Sequence, residues 1–145
     1  MPDALTPKPY IITSRRVLTT AGLQEAGIVV EGGVIADVVG AGRFPANIPI
    51  EDFGNQVVMP GLVDTHVHIN KPGRTDWEGF ASATRAAAAG GVTMLVDMPL
   101  NSLPVTTTSH SLQKKIAASH GKLFVDCGFY GGLVPGNTAS LKPLA

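Results

Sequence analysis

The sequence predicts an α/β protein in which a short β-rich segment is followed by strand, helix, strand, helix, strand. Three features point there. Residues 10–58 carry short apolar runs broken by Gly, Pro and Asn, the texture of strands and tight turns. After Pro60 and Gly61 the pattern changes to apolar runs separated by helix-favouring stretches, one of them rich in Ala. Strands alternating with helices at this spacing imply a parallel sheet with crossover connections. The division expected is therefore residues 1–59, β-rich, and residues 60–145, α/β.

Each element follows from local chemistry. Residues 10–18 read as a strand. Residues 27–30 and 34–39 are apolar runs separated by Gly32 and Gly33, a hairpin signal. Residues 40–49 form a loop and residues 56–59 a short strand stopped by Pro60. Residues 62–68 are the first strand of the second region. Residues 78–89 form a helix, with a capping box of Thr75 and Glu78 at its start and Gly90 and Gly91 at its end. Residues 93–98 form a strand closed by Pro99. Residues 109–119 form a surface helix ended near His120 and Gly121, and residues 123–130 a third strand. Residues 141–145 open a further helix. An eight-unit barrel needs roughly 250 residues. Three strands and two helices make either a small open sheet or part of a larger structure, and the latter is expected here.

Composition excludes several classes. Eleven Lys and Arg balance eleven Asp and Glu, which gives no electrostatic footprint for nucleic acid or an anionic membrane. The single cysteine, Cys127, cannot form an internal disulfide, so a reducing, cytoplasmic setting is the default. No stretch approaches the roughly 20 apolar residues of a membrane helix, and residues 1–9 lack the apolar core of a secretory signal.

The chemistry lies in Leu62-Val63-Asp64-Thr65-His66-Val67-His68. Side chains alternate along a strand, so Asp64, His66 and His68 are expected on one face and Val63, Thr65 and Val67 on the other. A buried parallel strand is ordinarily apolar on both faces, so three ionisable groups in a row need a reason. A metal ion supplies one, because two imidazoles two residues apart can converge on one cation. His68 also falls at the C-terminal strand end, where active sites of such sheets are found. The competing reading is a pair of hydrogen-bonded polar histidines. Asp97 is expected to bond loop amides at the end of its strand. Trp77 and Phe80 are expected to pack the loop and helix, His110 and His120 to lie outside any metal site, and Cys127 to be a buried, inert thiol.

The run Pro60-Gly61-Leu62-Val63-Asp64-Thr65-His66-Val67-His68 resembles the PGxxDxHxH signature of the amidohydrolase superfamily. Residues 70–80, residues 84–93 and Asp97-Met98-Pro99-Leu100-Asn101-Ser102 extend the resemblance to the allantoinases among the cyclic amidohydrolases. The resemblance implies the first βα units of a metal-dependent (β/α)8 barrel, preceded by the N-terminal part of a small β-sandwich domain. It implies two divalent metal ions, zinc foremost with cobalt or manganese as alternatives, bridged by hydroxide and a carbamylated lysine. His66 and His68 would be metal ligands, and the lysine and remaining ligands would lie beyond residue 145. It further implies a homotetramer acting on a small cyclic ureide, with hydroxide on the metal attacking the ring carbonyl. The residues present would not suffice for turnover.

Residues after the signature refine the substrate. Dihydroorotases carry Arg two positions after the second histidine, where it pairs with a carboxylate. Asn70 stands there in this chain; it is neutral and both donates and accepts, which suits an uncharged hydantoin ring. Arg74 is a second candidate for substrate contact, or an ion-pair partner of Asp76 or Glu78. Asn101 is a third, although the family motif MPN reads MPLN here, and a loop-fixing role competes. Asp64 is expected to orient a ligand histidine. Lys71 stands where allantoinases usually have an acidic residue. Allantoin hydrolysis is the leading expectation. Hydantoinase, dihydropyrimidinase or dihydroorotase activity, or a non-catalytic scaffold that keeps the barrel, are the alternatives.

Overall fold

A computed structural model describes residues 8–74 and 76–145. The chain divides into two compact units between Pro60 and Gly61.

The first unit is a five-stranded sheet. Strands β1 (Tyr10–Thr19), β2 (Gly22–Glu31) and β3 (Val34–Gly40) form an antiparallel meander. Gly32 and Gly33 have φ of 57° and 82°, the paired positive angles of a tight hairpin turn. Two short strands, β4 (Ile50–Asp52) and β5 (Val57–Val58), lie parallel to β1 along its free edge, at Ile11–Thr13 and at Arg16 and Val17. Ser14 fills the gap between them. Its hydroxyl faces the carbonyls of Gly54 at 3.1 Å and Gln56, and it accepts the Arg16 amide at 3.0 Å. Ile11, Val17, Ala26, Val29 and Val30 are buried. The sheet also carries a shallow apolar hollow lined by Ile12, Ile28, Ile35, Val38, Val58 and Met59. β2 begins five residues before the run expected from residue 27, and β4 falls where no strand was expected.

The second unit is a parallel sheet in the order β6 (Leu62–Val67), β7 (Val92–Asp97), β8 (Asp126–Phe129), connected through α1 (Phe80–Ala89) and α2 (Ser109–Ser119). A 3-10 turn (Thr138–Ser140) leads into the short α3 (Leu141–Leu144). The apolar stripe of α1, Phe80, Ala83 and Ala87, packs with Ile69, Leu95 and Phe129, and Phe80 meets Phe129 edge-on with ring centroids 6.0 Å apart.

Helix starts are chemically explicit. At α2, Thr108 Oγ1 accepts the Ser111 amide at 3.2 Å while Ser111 Oγ accepts the Thr108 amide at 3.0 Å. At α1 the cap differs from the expected one. Thr75 lies outside the described residues, and Glu78 precedes the helix, whose N-cap is Gly79 with its amide on Ser82 Oγ at 3.3 Å. The third strand is also shorter than expected. Phe124 donates its amide to Thr84 Oγ1 of α1 at 3.2 Å, so this stretch is tied to the helix and ladder pairing starts at Asp126. The helix expected at the surface is partly sunk: α2 buries Ser111, Lys115 and Ser119, a polar stripe at four-residue spacing.

Candidate metal centre at the end of the first parallel strand

His66 lies in β6 and His68 directly follows it. The strand is not regular there. Asp64 pairs with Leu95 and Val67 with Asp97, so three steps on β6 face two on β7. This is a bulge, a device that re-aims side chains beside functional sites. The Asp64 carboxylate accepts the His66 amide at 3.0 Å. Asp64 therefore steadies His66 through its main chain.

The two imidazoles come together, with ring centroids 5.3 Å apart and planes inclined at 57°. A cation held at about 2.1 Å by one nitrogen of each ring, at a near-tetrahedral angle, requires centroids about 5 Å apart. The observed spacing meets that requirement. His68 Nδ1 is buried and has no hydrogen-bond partner among the described residues, an orphaned polar atom of the kind a ligand satisfies. The pair fits half of a metal site. Among the described residues no third His, Cys, Asp or Glu joins it.

The segment after His68 is built from buried polar contacts. Asn70 is buried, and its main-chain amide and Nδ2 both donate to the Glu78 carbonyl, at 3.1 and 3.3 Å. Its Oδ1 is buried with no partner among the described residues. Arg74 does not pair with Asp76 or Glu78. Its guanidinium lies over the Trp77 ring, 4.5 Å from the centroid, and its Nε is buried without a partner among the described residues. Trp77 is 54% exposed, so one face is covered by arginine and the packing role expected for it falls to Phe80. Lys71 Nζ donates to the Arg74 carbonyl at 3.1 Å, and its stem lies along Gly79.

The loops after β6 and β7 interlock. Leu103 donates its amide to the Pro72 carbonyl at 2.8 Å, and Gly73, at φ +94°, lies against Leu103. Asn101 adopts φ +68°, a left-handed conformation that Asn tolerates better than most residues. It shapes the loop at the C-terminal end of β7.

One feature escaped sequence reasoning. Asp97 and Lys115 form a fully buried ion pair with Nζ and Oδ2 2.6 Å apart. Asp97 Oδ1 accepts the Ile69 amide at 2.8 Å, and Lys115 Nζ donates to the Met98 carbonyl at 3.1 Å. Burial pushes the Asp97 carboxyl above the usual carboxylate range, opposed by the Ile69 amide, then by Lys115 and His68. The loop-amide bond expected of Asp97 is present. Its lysine partner lies on a helix, and only the Lys among polar neighbours at four-residue spacing could have hinted at it. Cys127 sits half-buried beside the core, and burial, with Asp97 nearby, pushes its thiol up to about 11.

The chain is 52% identical over 135 residues to the allantoinase of Streptomyces avermitilis, covering 92% of this chain and 30% of that protein. It is 47% identical over 139 residues to the allantoinase of Arabidopsis thaliana, covering 93% and 28%. It is 44% identical over 138 residues to the mitochondrial allantoinase of Aquarana catesbeiana, covering 94% and 28%. Among solved structures, an L-hydantoinase (dihydropyrimidinase) from Arthrobacter aurescens matches with a TM-score of 0.84 at 32% identity, over 93% of this chain and 30% of that one. The chain thus spans about 30% of the length of the relatives it matches. Its fold is that of the first βα units of an amidohydrolase barrel preceded by the N-terminal part of a β-sandwich domain. The amidohydrolase family matches residues 57–140, a span that includes the bulged histidine strand and all three parallel strands, and the chain belongs to that family.

Proposed function

We propose that this chain is the N-terminal part of a cyclic amidohydrolase whose substrate is (S)-allantoin, opened to allantoate in purine and ureide breakdown. The observation that carries the reading is the pair of imidazoles at a strand end, 5.3 Å apart and with one buried nitrogen unpartnered. The allantoinase relatives support the substrate, and Asn70 supports an uncharged ring.

His66 and His68 would hold one of two divalent metal ions, zinc foremost with cobalt or manganese as alternatives. The carbamylated lysine and the remaining ligands would be supplied by residues after 145. A divalent cation held there would polarise a carbonyl oxygen and lower the pKa of bound water strongly, towards neutrality. The chain's own residues orient the rest. Asp64 holds the His66 main chain at the bulge. The Oδ1 of Asn70, buried and without a partner among the described residues, is the atom that would accept an N–H of a ureide ring, while its other polar groups hold the loop. Arg74 and Asn101, on the loops after β6 and β7, are the further substrate-contact candidates. The two-unit division supports reading residues 1–59 as a β-sandwich segment and residues 60–145 as a barrel segment. The exposed apolar hollow of the first sheet is the side a second layer would cover.

We place the full-length enzyme in the cytoplasm as a homotetramer, on the single cysteine among these 145 residues and on the family resemblance. No helix among the described residues is long and apolar enough to cross a membrane. Assay of the full-length protein on allantoin, hydantoin, dihydrouracil and dihydroorotate tests the substrate. Allantoin is expected to give the highest kcat/KM, and activity confined to dihydroorotate would defeat the Asn70 argument. A hydantoinase is the second reading, favoured by the likeness to the Arthrobacter aurescens structure. A preparation that binds no metal and stays inactive with zinc, cobalt or manganese would instead indicate a scaffold.

A further inference from the structure

We propose that the buried Asp97–Lys115 pair is a positioning device for His68, clamping the main chain on its far side so that the imidazole meets that of His66. This rests on the reading of His68 as a metal ligand. The clamp has two jaws. On the near side of His68, the Val67 carbonyl accepts the Met98 amide at 2.7 Å. On the far side, the Ile69 amide donates to Asp97 Oδ1 at 2.8 Å. The peptides flanking His68 are thus both held, by the last residue of β7 and the residue that follows it. The Met98 carbonyl, which would accept the Ile69 amide if the ladder continued, is taken by Lys115 Nζ, and the Asp97 carboxylate accepts that amide in its place.

Lys115 fixes the carboxylate in turn. Asp97 and Lys115 are 0% and 1% exposed, and the ammonium spans from Asp97 Oδ2 at 2.6 Å to the Met98 carbonyl at 3.1 Å. Burying two charges is costly, and a well-packed apolar pair of the same volume would hold α2 on the sheet about as well. An apolar pair could not accept the Ile69 amide. The charges therefore sit where packing alone would not require them, and the amide they hold, that of Ile69, is one residue along the chain from a candidate ligand.

The test uses the full-length protein with two double variants that each remove both charges. Asp97→Asn with Lys115→Met keeps an oxygen for the Ile69 amide, whereas Asp97→Leu with Lys115→Met does not. Zinc affinity of the apoprotein is measured by competition with a chromophoric chelator, and the cobalt form is followed by its visible absorption bands. Loss of a group that orients a ligand histidine typically costs about 10- to 100-fold in metal affinity. That loss and altered cobalt bands are expected for the Leu variant, with the Asn variant within about threefold of wild type on the same scale. Equal affinities in the two variants would overturn the inference, since a structural pair affects both alike. Should the Leu variant not fold, hydrogen exchange at Ile69 in the wild-type apoprotein decides. Protection supports the clamp, and exchange as fast as in exposed loops refutes it. A wild-type protein that takes up no divalent metal would instead overturn the underlying reading of His68.

Discussion

Gly73→Ala is a sharp probe of how the two loops at the candidate site interlock. Gly73 has φ +94°, and a methyl group built on it would meet Leu103 Cβ at 2.5 Å and the Leu103 carbonyl oxygen at 2.6 Å. Two costs follow. An L-residue in the left-handed region loses about 1–2 kcal/mol. Overpacking against backbone that must move adds about 1–3 kcal/mol. Gly136 separates the two, because it has φ +85° and open space around the same added methyl. Gly136→Ala should cost only the conformational term, about 1–2 kcal/mol. The Leu103 amide, bonded to the Pro72 carbonyl at 2.8 Å, reports on Gly73, and the Asn137 amide, bonded to the Val134 carbonyl at 3.2 Å, reports on Gly136. Hydrogen exchange in the full-length protein should therefore accelerate more at Leu103 in the first variant than at Asn137 in the second. The expected excess is about 5- to 150-fold, the equivalent of 1–3 kcal/mol. Equal acceleration would show that the loops are not in steric register and would remove the argument that residues 70–74 are set by the loop after β7.

Phe80→Ala should destabilise the second unit by about 3–5 kcal/mol, because it empties a core site shared with Ile69, Leu95 and Phe129; denaturant titration with circular dichroism measures it. Thr108→Ala should cost about 1 kcal/mol through loss of the α2 cap, while Thr108→Ser retains the Ser111 bond and most of the stability. Cys127 should resist alkylation by iodoacetamide at pH 8, reacting about 100-fold more slowly than in the urea-unfolded protein, since its thiol is raised from 9.0 to about 11. The sign of the linked effect is fixed: the folded state holds the proton more tightly, so stability falls as pH rises from about 9 to about 11.

The order of the second unit was legible because each strand and helix carries its own punctuation: Pro60, Gly90 and Gly91, Pro99, Gly121. The hairpin at Gly32 and Gly33 was legible for the same reason. What escaped depends on partners distant in sequence. β4 is three residues long and exists by pairing with Ile11–Thr13, some forty residues earlier, which no local pattern announces. Phe124 has strand-like neighbours, yet Thr84 takes its amide. Lys115 reads as one more polar residue of a solvated helix until Asp97 is placed beneath it. The histidine pair was read by strict alternation, and the rings do meet. The bulge that Asp64 stabilises is a departure from alternation that only the pairing register reveals.

Trp77 is the single tryptophan of these 145 residues, and it stands on the segment that joins the histidine strand to α1 with the Arg74 guanidinium over its ring. That makes the segment optically addressable. The indole is exposed to water on one side and to a cation on the other, so its emission depends on whether Arg74 stays stacked or swings away. Displacement of Arg74 from the ring would register as a change in the emission of this indole.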